Sequence, residues 1–401
     1  MGVRRRRDPL TRPVTRNTGA PCVVLEAVST TARTVDVVVV GAGQAGLSTA
    51  YHLRRRGFVP DGEAHASDRS FVVLDANSAP GGAWQHRWAS LRMATVNGIH
   101  ELPGFDVPAA DPTARARDVL PAYFADYERE FGLGVRRPVA VTAVRREADA
   151  LRVETDAGAW RARFVVSATG TWTRPFWPHY PGQERFRGRQ LHTADYVSAE
   201  EFAGRRVLVV GAGVSGVQLL DEISHVATVF WMTRREPVWI ESDFDAPARV
   251  AAIAGVEDRV RRGLPPGSVI SVTGMHWTPW ARAARARGVL ERLPMMAGIE
   301  EDGVRMPDGT LLEVDAILWA TGFRPALEHL APLRLRTPDG GFRVDDSRSL
   351  DEPRLFFVGY GPSASTVGAN RAGRSVAARI VKELAPDAPA SSPARRVGAG
   401  A

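Results

Sequence analysis

Residues Val35–Val40 hold five valines in six positions, and three glycines follow at the spacing G-x-G-x-x-G: Gly41, Gly43 and Gly46. So continuous an apolar run reads as a fully buried parallel strand, because a strand with one wet face would alternate. Gly41 permits a tight turn. Gly43 removes the side chain that would keep a pyrophosphate at a distance, and Gly46 lets the next helix pack on the strand. Gln44 and Ala45 open that helix, whose first N–H groups face the phosphate position. It is expected to reach about Arg56 and to end at Gly57. The pattern returns at Arg206–Gly216, with strand Val207–Val210, turn glycines Gly211, Gly213 and Gly216, Ser215 between them, and a helix from about Val214 to Ile223. One such fingerprint is a weak signal. Two in one chain restrict the fold to an α/β architecture with a pair of Rossmann-like dinucleotide-binding units.

The residues after each fingerprint differ. Phe71–Leu74 reads as the second strand of the first unit, and Asp75 stands at its end. An acid there takes ribose hydroxyls, although the spacing from Gly41 exceeds the usual ~20 residues. The polar stretch Val59–Ser70 reads as a loop insertion that accounts for the excess; the alternative for Asp75 is a plain strand cap. In the second unit the strand Thr228–Met232 ends in Thr233-Arg234-Arg235, with no acid. Loss of the acid and gain of arginine is how such a site accepts a 2′-phosphate. NADPH is therefore expected at the second fingerprint, which leaves a flavin dinucleotide, FAD, at the first.

Pro80-Gly81-Gly82-Ala83-Trp84 suits a backbone that runs against a flat ring system. Thr95-Val96-Asn97-Gly98-Ile99-His100 is a polar island between apolar runs. Val119–Phe131 has amphipathic helical spacing, and Val139–Val144, Leu151–Glu154 and Trp160–Val166 read as a strand meander. Ser167–Gly170, with Gly170 last, is echoed by Thr321-Gly322-Phe323 after the strand Val314–Ala320. Both lie where a chain would cross between units. Gly303–Leu312 reads as a hairpin, and Leu355–Val358 as a buried strand before Gly359. Gly368–Leu384 is the last long helix, whose N-terminus could stabilise charge on a reduced flavin ring. The expected division is a tail at 1–34, a first FAD-binding part at 35–175, an NADPH-binding unit at 176–325 with a helical insertion at 241–300, a second FAD-binding part at 326–385, and a tail at 386–401.

The formal charge of +7 sits mostly in the first 34 residues, where seven arginines face only Asp8 and Glu26. The body is near neutral, so no nucleic-acid partner is expected. Lys382 is the one lysine among 52 basic residues, which lowers the weight of any single arginine. The single cysteine, Cys22, excludes an intrachain disulfide, a CxxC redox pair and a cysteine metal cluster. No run of 18 apolar residues suggests a membrane span, and the Arg4–Arg7 start lacks the apolar core of a secretory signal. Both tails are expected to be disordered, the compartment to be cytoplasmic, and no metal is expected.

In order and kind these motifs resemble the flavin-containing monooxygenase family and its Baeyer–Villiger and N-hydroxylating relatives, over nearly all of residues 35–385. The resemblance rests on Gly41–Gly46, Gly81-Gly82-Ala83-Trp84, Ser167–Gly170, Gly211–Gly216, Thr321–Phe323 and, most specifically, F-x-G-x-x-x-H-x-x-x-Y at Phe186, Gly188, His192 and Tyr196. It implies that NADPH reduces FAD and that the reduced flavin takes up O2 as a C4a-hydroperoxide. That species passes one oxygen to a nitrogen, sulfur or carbonyl centre of a small organic substrate. It also implies an asparagine near the flavin C4a position, for which Asn97 fits best. His192 is either a catalytic group or a hydrogen-bond organiser of the domain junction. A flavin reductase or dehydrogenase that inserts no oxygen is the alternative. A non-catalytic binding module is disfavoured by the intact glycines of both fingerprints.

Overall fold

The structure, a computed structural model, describes residues 32–66, 68–96, 99–240, 246–267 and 274–385. The tails expected at 1–34 and 386–401 lie outside them, except for Ala32, Arg33 and Thr34, the last two of which already belong to the first strand. That strand, β1 (Arg33–Val40), pairs in parallel with β7 (Gly158–Ser167) on one side and β3 (Ser70–Leu74) on the other. Val37, Val38 and Val39 are fully buried, as their unbroken apolar run requires. Helix α1 (Gln44–Arg54) connects β1 to β3. The stretch expected as a pure loop insertion is structured at its ends. Val59 and Pro60 form an edge strand, β2, pairing with Ser70 and Phe71, so the insertion is anchored by its own ladder. Helix α2 (Ala116–Glu130) is followed by the short β4 (Val135–Arg136) beside β3. β5 (Val141–Glu147) and β6 (Ala150–Thr155) then run antiparallel into β7 as the expected meander.

The chain next builds a second, wholly parallel sheet. β8 (Arg189–His192) lies at one edge, and β9 (Arg206–Val210), which carries the second fingerprint, lies at the centre. Helix α3 (Val214–Ile223) leads to β10 (Thr228–Met232). The short strands β11 (Trp239–Ile240) and β12 (Met275–His276) pair with each other, and helices α4 (Ala246–Arg261) and α5 (Pro279–Ala286) follow each in turn. β13 (Arg292–Leu293) joins the edge of β10. A three-stranded hairpin array, β14 (Gly298–Glu300), β15 (Gly303–Arg305) and β16 (Leu311–Glu313), stands apart. β17 (Ala316–Trp319) then inserts between β8 and β9.

The chain finally returns to the first sheet. β18 (Val344–Asp345), β19 (Arg348–Ser349) and β20 (Leu355–Phe357) extend it beyond β7, and α6 (Thr366–Leu384) packs on α1. Each fingerprint strand thus has neighbours on both sides, and each glycine turn opens at the carboxyl edge of its sheet, where open α/β folds bind ligands. No helix among the described residues is long and apolar enough to cross a membrane.

Candidate functional site

The two glycine turns are built alike. Gly41 has φ +99° and Gly211 φ +136°, conformations that favour glycine. A Cβ on Gly41 would lie 2.7 Å from the Ala168 carbonyl oxygen, and one on Gly211 2.2 Å from that of Ala320. The first glycine of each fingerprint is therefore pressed against an Ala-Thr-Gly run: Ala168-Thr169-Gly170 at the end of β7, Ala320-Thr321-Gly322 at the end of β17. A Cβ on Gly46 would meet the Gly41 carbonyl, and one on Gly216 the Gly211 carbonyl. The middle glycines differ from all of these. A Cβ on Gly43 or Gly213 would meet no atom within 4 Å. Each is the N-cap of its helix, with no side-chain cap and no acidic residue in the first turn, where Gln44, Ala45 and Ser215 lie. The first N–H groups of α1 and α3 thus face open space with no acidic competitor, which fits a dinucleotide pyrophosphate.

Asp75 ends β3 and is 4% exposed. Its Oδ1 accepts the Asn77 backbone N–H (3.2 Å) and Nδ2 (2.9 Å), and its Oδ2 accepts Arg137 Nε at 3.2 Å. Arg137 in turn donates both Nη groups to Glu128 of α2, each at 2.6 Å. These partners, which sequence reasoning missed, hold the carboxylate at the strand end while each oxygen keeps acceptor capacity for a hydroxyl. Arg234 and Arg235 follow β10, are exposed, and form no ion pair with any described residue. The nearest acid in sequence, Glu236, is engaged by Arg292 Nε at 2.7 Å.

The two Ala-Thr-Gly runs lead into segments that pair with each other. Pro175 and Phe323 form an antiparallel bridge, Phe176 N–H donates to Gly322 O at 2.9 Å, and Arg324 N–H donates to Arg174 O at 2.8 Å. Thr321 Oγ1 donates to Phe176 O, and Ala326 N–H to Gly170 O. His192 is fully buried at this crossover. Its Nδ1 accepts Ala194 N–H at 3.1 Å and its Nε2 lies 3.0 Å from Gly322 O, so Nε2 carries the proton. Burial holds the ring below its ordinary pKa. Both ring nitrogens are thus bonded to backbone, which ties the end of β8 to the crossover segment. The rest of its motif is also packing. Phe186 and Tyr196 are buried, a Cβ on Gly188 would strike the Phe186 ring, and the Tyr196 hydroxyl donates to Glu222 at 2.9 Å.

The loop after α1 and β3 spans the two fingerprints. A Cβ on Gly82 would lie 2.9 Å from Gly43 Cα, and Trp84 packs against the cores of both sheets. Further on, Thr95 O accepts Gln218 Nε2 of α3 at 2.6 Å. Asn97 lies outside the described residues. Between these points Arg87 places its guanidinium over the rings of Trp84 (5.5 Å) and Trp172 (5.0 Å). Burial lowers its pKa to about 10. Beside it, His86 Nε2 donates to Asn77 Oδ1 at 2.8 Å and its ring stacks on Trp172, which stacks on Phe323.

Gly359 sits over α1, 3.4 Å from Ala45 Cβ by its ideal Cβ, and Gln44 Nε2 donates to Asn370 Oδ1 of α6 at 3.1 Å. The N-terminus of α6 is partly satisfied, since Ser365 Oγ accepts Gly368 N–H. Alongside lies a cavity of about 610 Å³, walled by α4 and α6 and touched by His100, Val256, Val260, Tyr360, Val367 and Arg371. Helix α4 comes from the 241–300 insertion but docks on the first unit, with Val256 and Val260 buried and Arg261 paired to Asp345 at 2.7 Å. The cavity therefore lies between the insertion and α6, and its lining residue Arg371 adjoins Asn370, the partner of Gln44.

Residues 38–261 match the pyridine nucleotide-disulphide oxidoreductase family. Over 88% of its length the chain is similar to the whole of a flavin-containing monooxygenase of known structure from Stenotrophomonas maltophilia, with 38% identity and a TM-score of 0.74. An indole-3-pyruvate monooxygenase of Oryza sativa subsp. japonica, YUCCA1, is 36% identical over 195 residues, 47% of this chain and 45% of that protein. An uncharacterized oxidoreductase of Bacillus subtilis, CzcO, is 25% identical over 301 residues, 73% of this chain and 82% of that protein.

Proposed function

Because the chain belongs to the flavin-containing monooxygenases of the pyridine nucleotide-disulphide oxidoreductase family, we propose that it holds FAD at Gly41–Gly46 and NADPH at Gly211–Gly216 and oxygenates a small organic substrate at a nitrogen, sulfur or carbonyl carbon. The observation that carries this reading is the pair of matched cradles, each with an open middle glycine, tied together by paired crossover segments. Bound FAD would supply the redox and oxygen-activating chemistry.

The chain's own residues bind and orient. Asp75, braced by Arg137 and Asn77, accepts the FAD ribose hydroxyls. Arg234 and Arg235 meet the NADPH 2′-phosphate with no carboxylate to compete. His192 fixes the crossover, so that the two nucleotides meet at one distance. The substrate occupies the cavity between α4 and α6, where the buried Val256 and Val260 supply an apolar wall. The test is rapid mixing of NADPH-reduced enzyme with O2. A long-lived spectrum distinct from reduced and oxidised flavin is expected. Direct return to oxidised flavin, with efficient electron transfer to artificial acceptors, overturns the oxygenase reading in favour of a reductase.

A further inference from the structure

Among the described residues, four buried side-chain polar atoms have no hydrogen-bond partner: Arg87 Nε, Ser90 Oγ, Glu147 Oε2 and Trp160 Nε1. The last two belong to the meander of β5 and β7. The first two lie three residues apart in the loop that joins the fingerprints, and both are donors. No carboxylate of the described residues pairs with the Arg87 guanidinium, which lies over the indole rings of Trp84 and Trp172. Cation–π contact offsets only a part of what desolvating a guanidinium costs. Buried charge is otherwise paired, and an arginine with a buried, acceptorless Nε and no carboxylate beside it favours an oxyanion.

The position of the loop narrows the choice of anion. At one end Gly82 lies against Gly43, the open glycine of the first cradle, and at the other Thr95 is bonded by Gln218 of α3. His86, next to Arg87, is linked through Asn77 to the ribose acid Asp75. Phosphate oxygens are the anions that a chain with two dinucleotide cradles brings to this loop. Resting on the two-nucleotide reading above, we infer that Arg87, with Ser90, forms a clamp for a pyrophosphate oxygen of a bound dinucleotide. The clamp is formed by the chain's own loop between Trp84 and Trp172, and both FAD and NADPH carry the group it takes.

The test uses Arg87→Met, Arg87→Lys and Ser90→Ala in the full chain. Apoprotein is titrated with FAD and with riboflavin, which lacks phosphate; FAD-loaded protein is titrated with NADP+. Arg87→Met is expected to weaken one dinucleotide by about 10- to 100-fold, to leave riboflavin unchanged, and to flatten the salt dependence of binding. The affected titration, FAD or NADP+, identifies whose pyrophosphate is held. Arg87→Lys should recover most of the affinity, and Ser90→Ala should lose a smaller factor on the same dinucleotide. Equal loss of FAD and riboflavin in Arg87→Met, or unchanged binding of both dinucleotides, overturns the clamp. Failure of the wild-type protein to bind FAD at all would instead overturn the underlying cofactor assignment. If Arg87→Met does not fold, the decision passes to Ser90→Ala and the salt dependence of Arg87→Lys.

Discussion

The two middle glycines allow the cofactor sites to be separated by single methyl groups. Gly43 has φ −81° and ψ −171°, and Gly213 φ −88° and ψ 168°, both extended backbone open to any residue. A Cβ at either position meets no protein atom within 4 Å. Alanine there loses some N-cap preference, about 0.5–1 kcal/mol, and regains a similar amount by restricting the unfolded chain, about 0.4–1 kcal/mol. The ligand-free protein should therefore keep its melting temperature within about 4 °C. The bound nucleotide is treated differently, because the added methyl occupies the space through which pyrophosphate oxygens reach the helix N–H groups. Losing one charge-assisted hydrogen bond costs about 1.5–3 kcal/mol, or about 10- to 100-fold in affinity. Gly43→Ala should lose FAD and Gly213→Ala should lose NADP+, each sparing the other ligand. The assay is fluorescence titration of apoprotein with FAD and of FAD-loaded protein with NADP+, with a thermal melt of each variant. Gly46→Ala serves as a contrast, since its Cβ would lie 1.8 Å from the Gly41 carbonyl oxygen and should prevent folding. Reversed ligand losses, or normal binding of both ligands by both variants, would refute the assignment of the two cradles.

Arg234→Ala and Arg235→Ala should each lower the preference for NADPH over NADH, by about 10-fold for the residue nearer the phosphate; unchanged preference in both removes the 2′-phosphate argument. His192→Phe leaves Gly322 O and Ala194 N–H without their partner and should cost about 1–3 kcal/mol in a denaturant melt, while NADPH oxidation per folded molecule stays within a few-fold. Normal stability with a large loss of rate would make His192 an acid–base group after all. His329, 6% exposed and 3.2 Å from Ser167 Oγ, is lowered by burial from 6.5 to about 4. A histidine kept neutral in the folded state stabilises it fully above pH 6.5, and this contribution, roughly 3 kcal/mol, is lost as pH falls towards 4. In His329→Gln the fall in melting temperature across that range should therefore be smaller than in the wild type; an unchanged acid limb contradicts the assignment.

Those parts of the fold whose signal is local were legible in the sequence. The valine runs with their glycine turns give β1, β9 and the two helices that follow, and α3 and β10 fall on the expected residues, Val214–Ile223 and Thr228–Met232. Strand β2 was not legible, because Val59 and Pro60 are strand only by pairing with β3. The docking of α4 on the first unit was equally hidden. It depends on Val260 meeting residues as far as Gly361, about a hundred positions later in the chain. At the candidate site, the middle glycines could be proposed from spacing and Asp75 from its place at a strand end, whereas its braces Arg137 and Glu128 could not, since no motif links them. Arg87 was obscured by composition: among so many arginines, a buried Nε without a partner sets it apart among the described residues.

The proposed oxygen transfer is decided by isotope labelling. Purified, FAD-loaded protein is incubated with NADPH, 18O2 and a mixed panel of amines, sulfides and ketones, and the products are read by mass. One 18O atom in an oxidised product, formed with NADPH consumption and absent without NADPH, is the expected result. Steady NADPH oxidation with no labelled product from any member of the panel, and with electrons passing instead to an added acceptor, would contradict it.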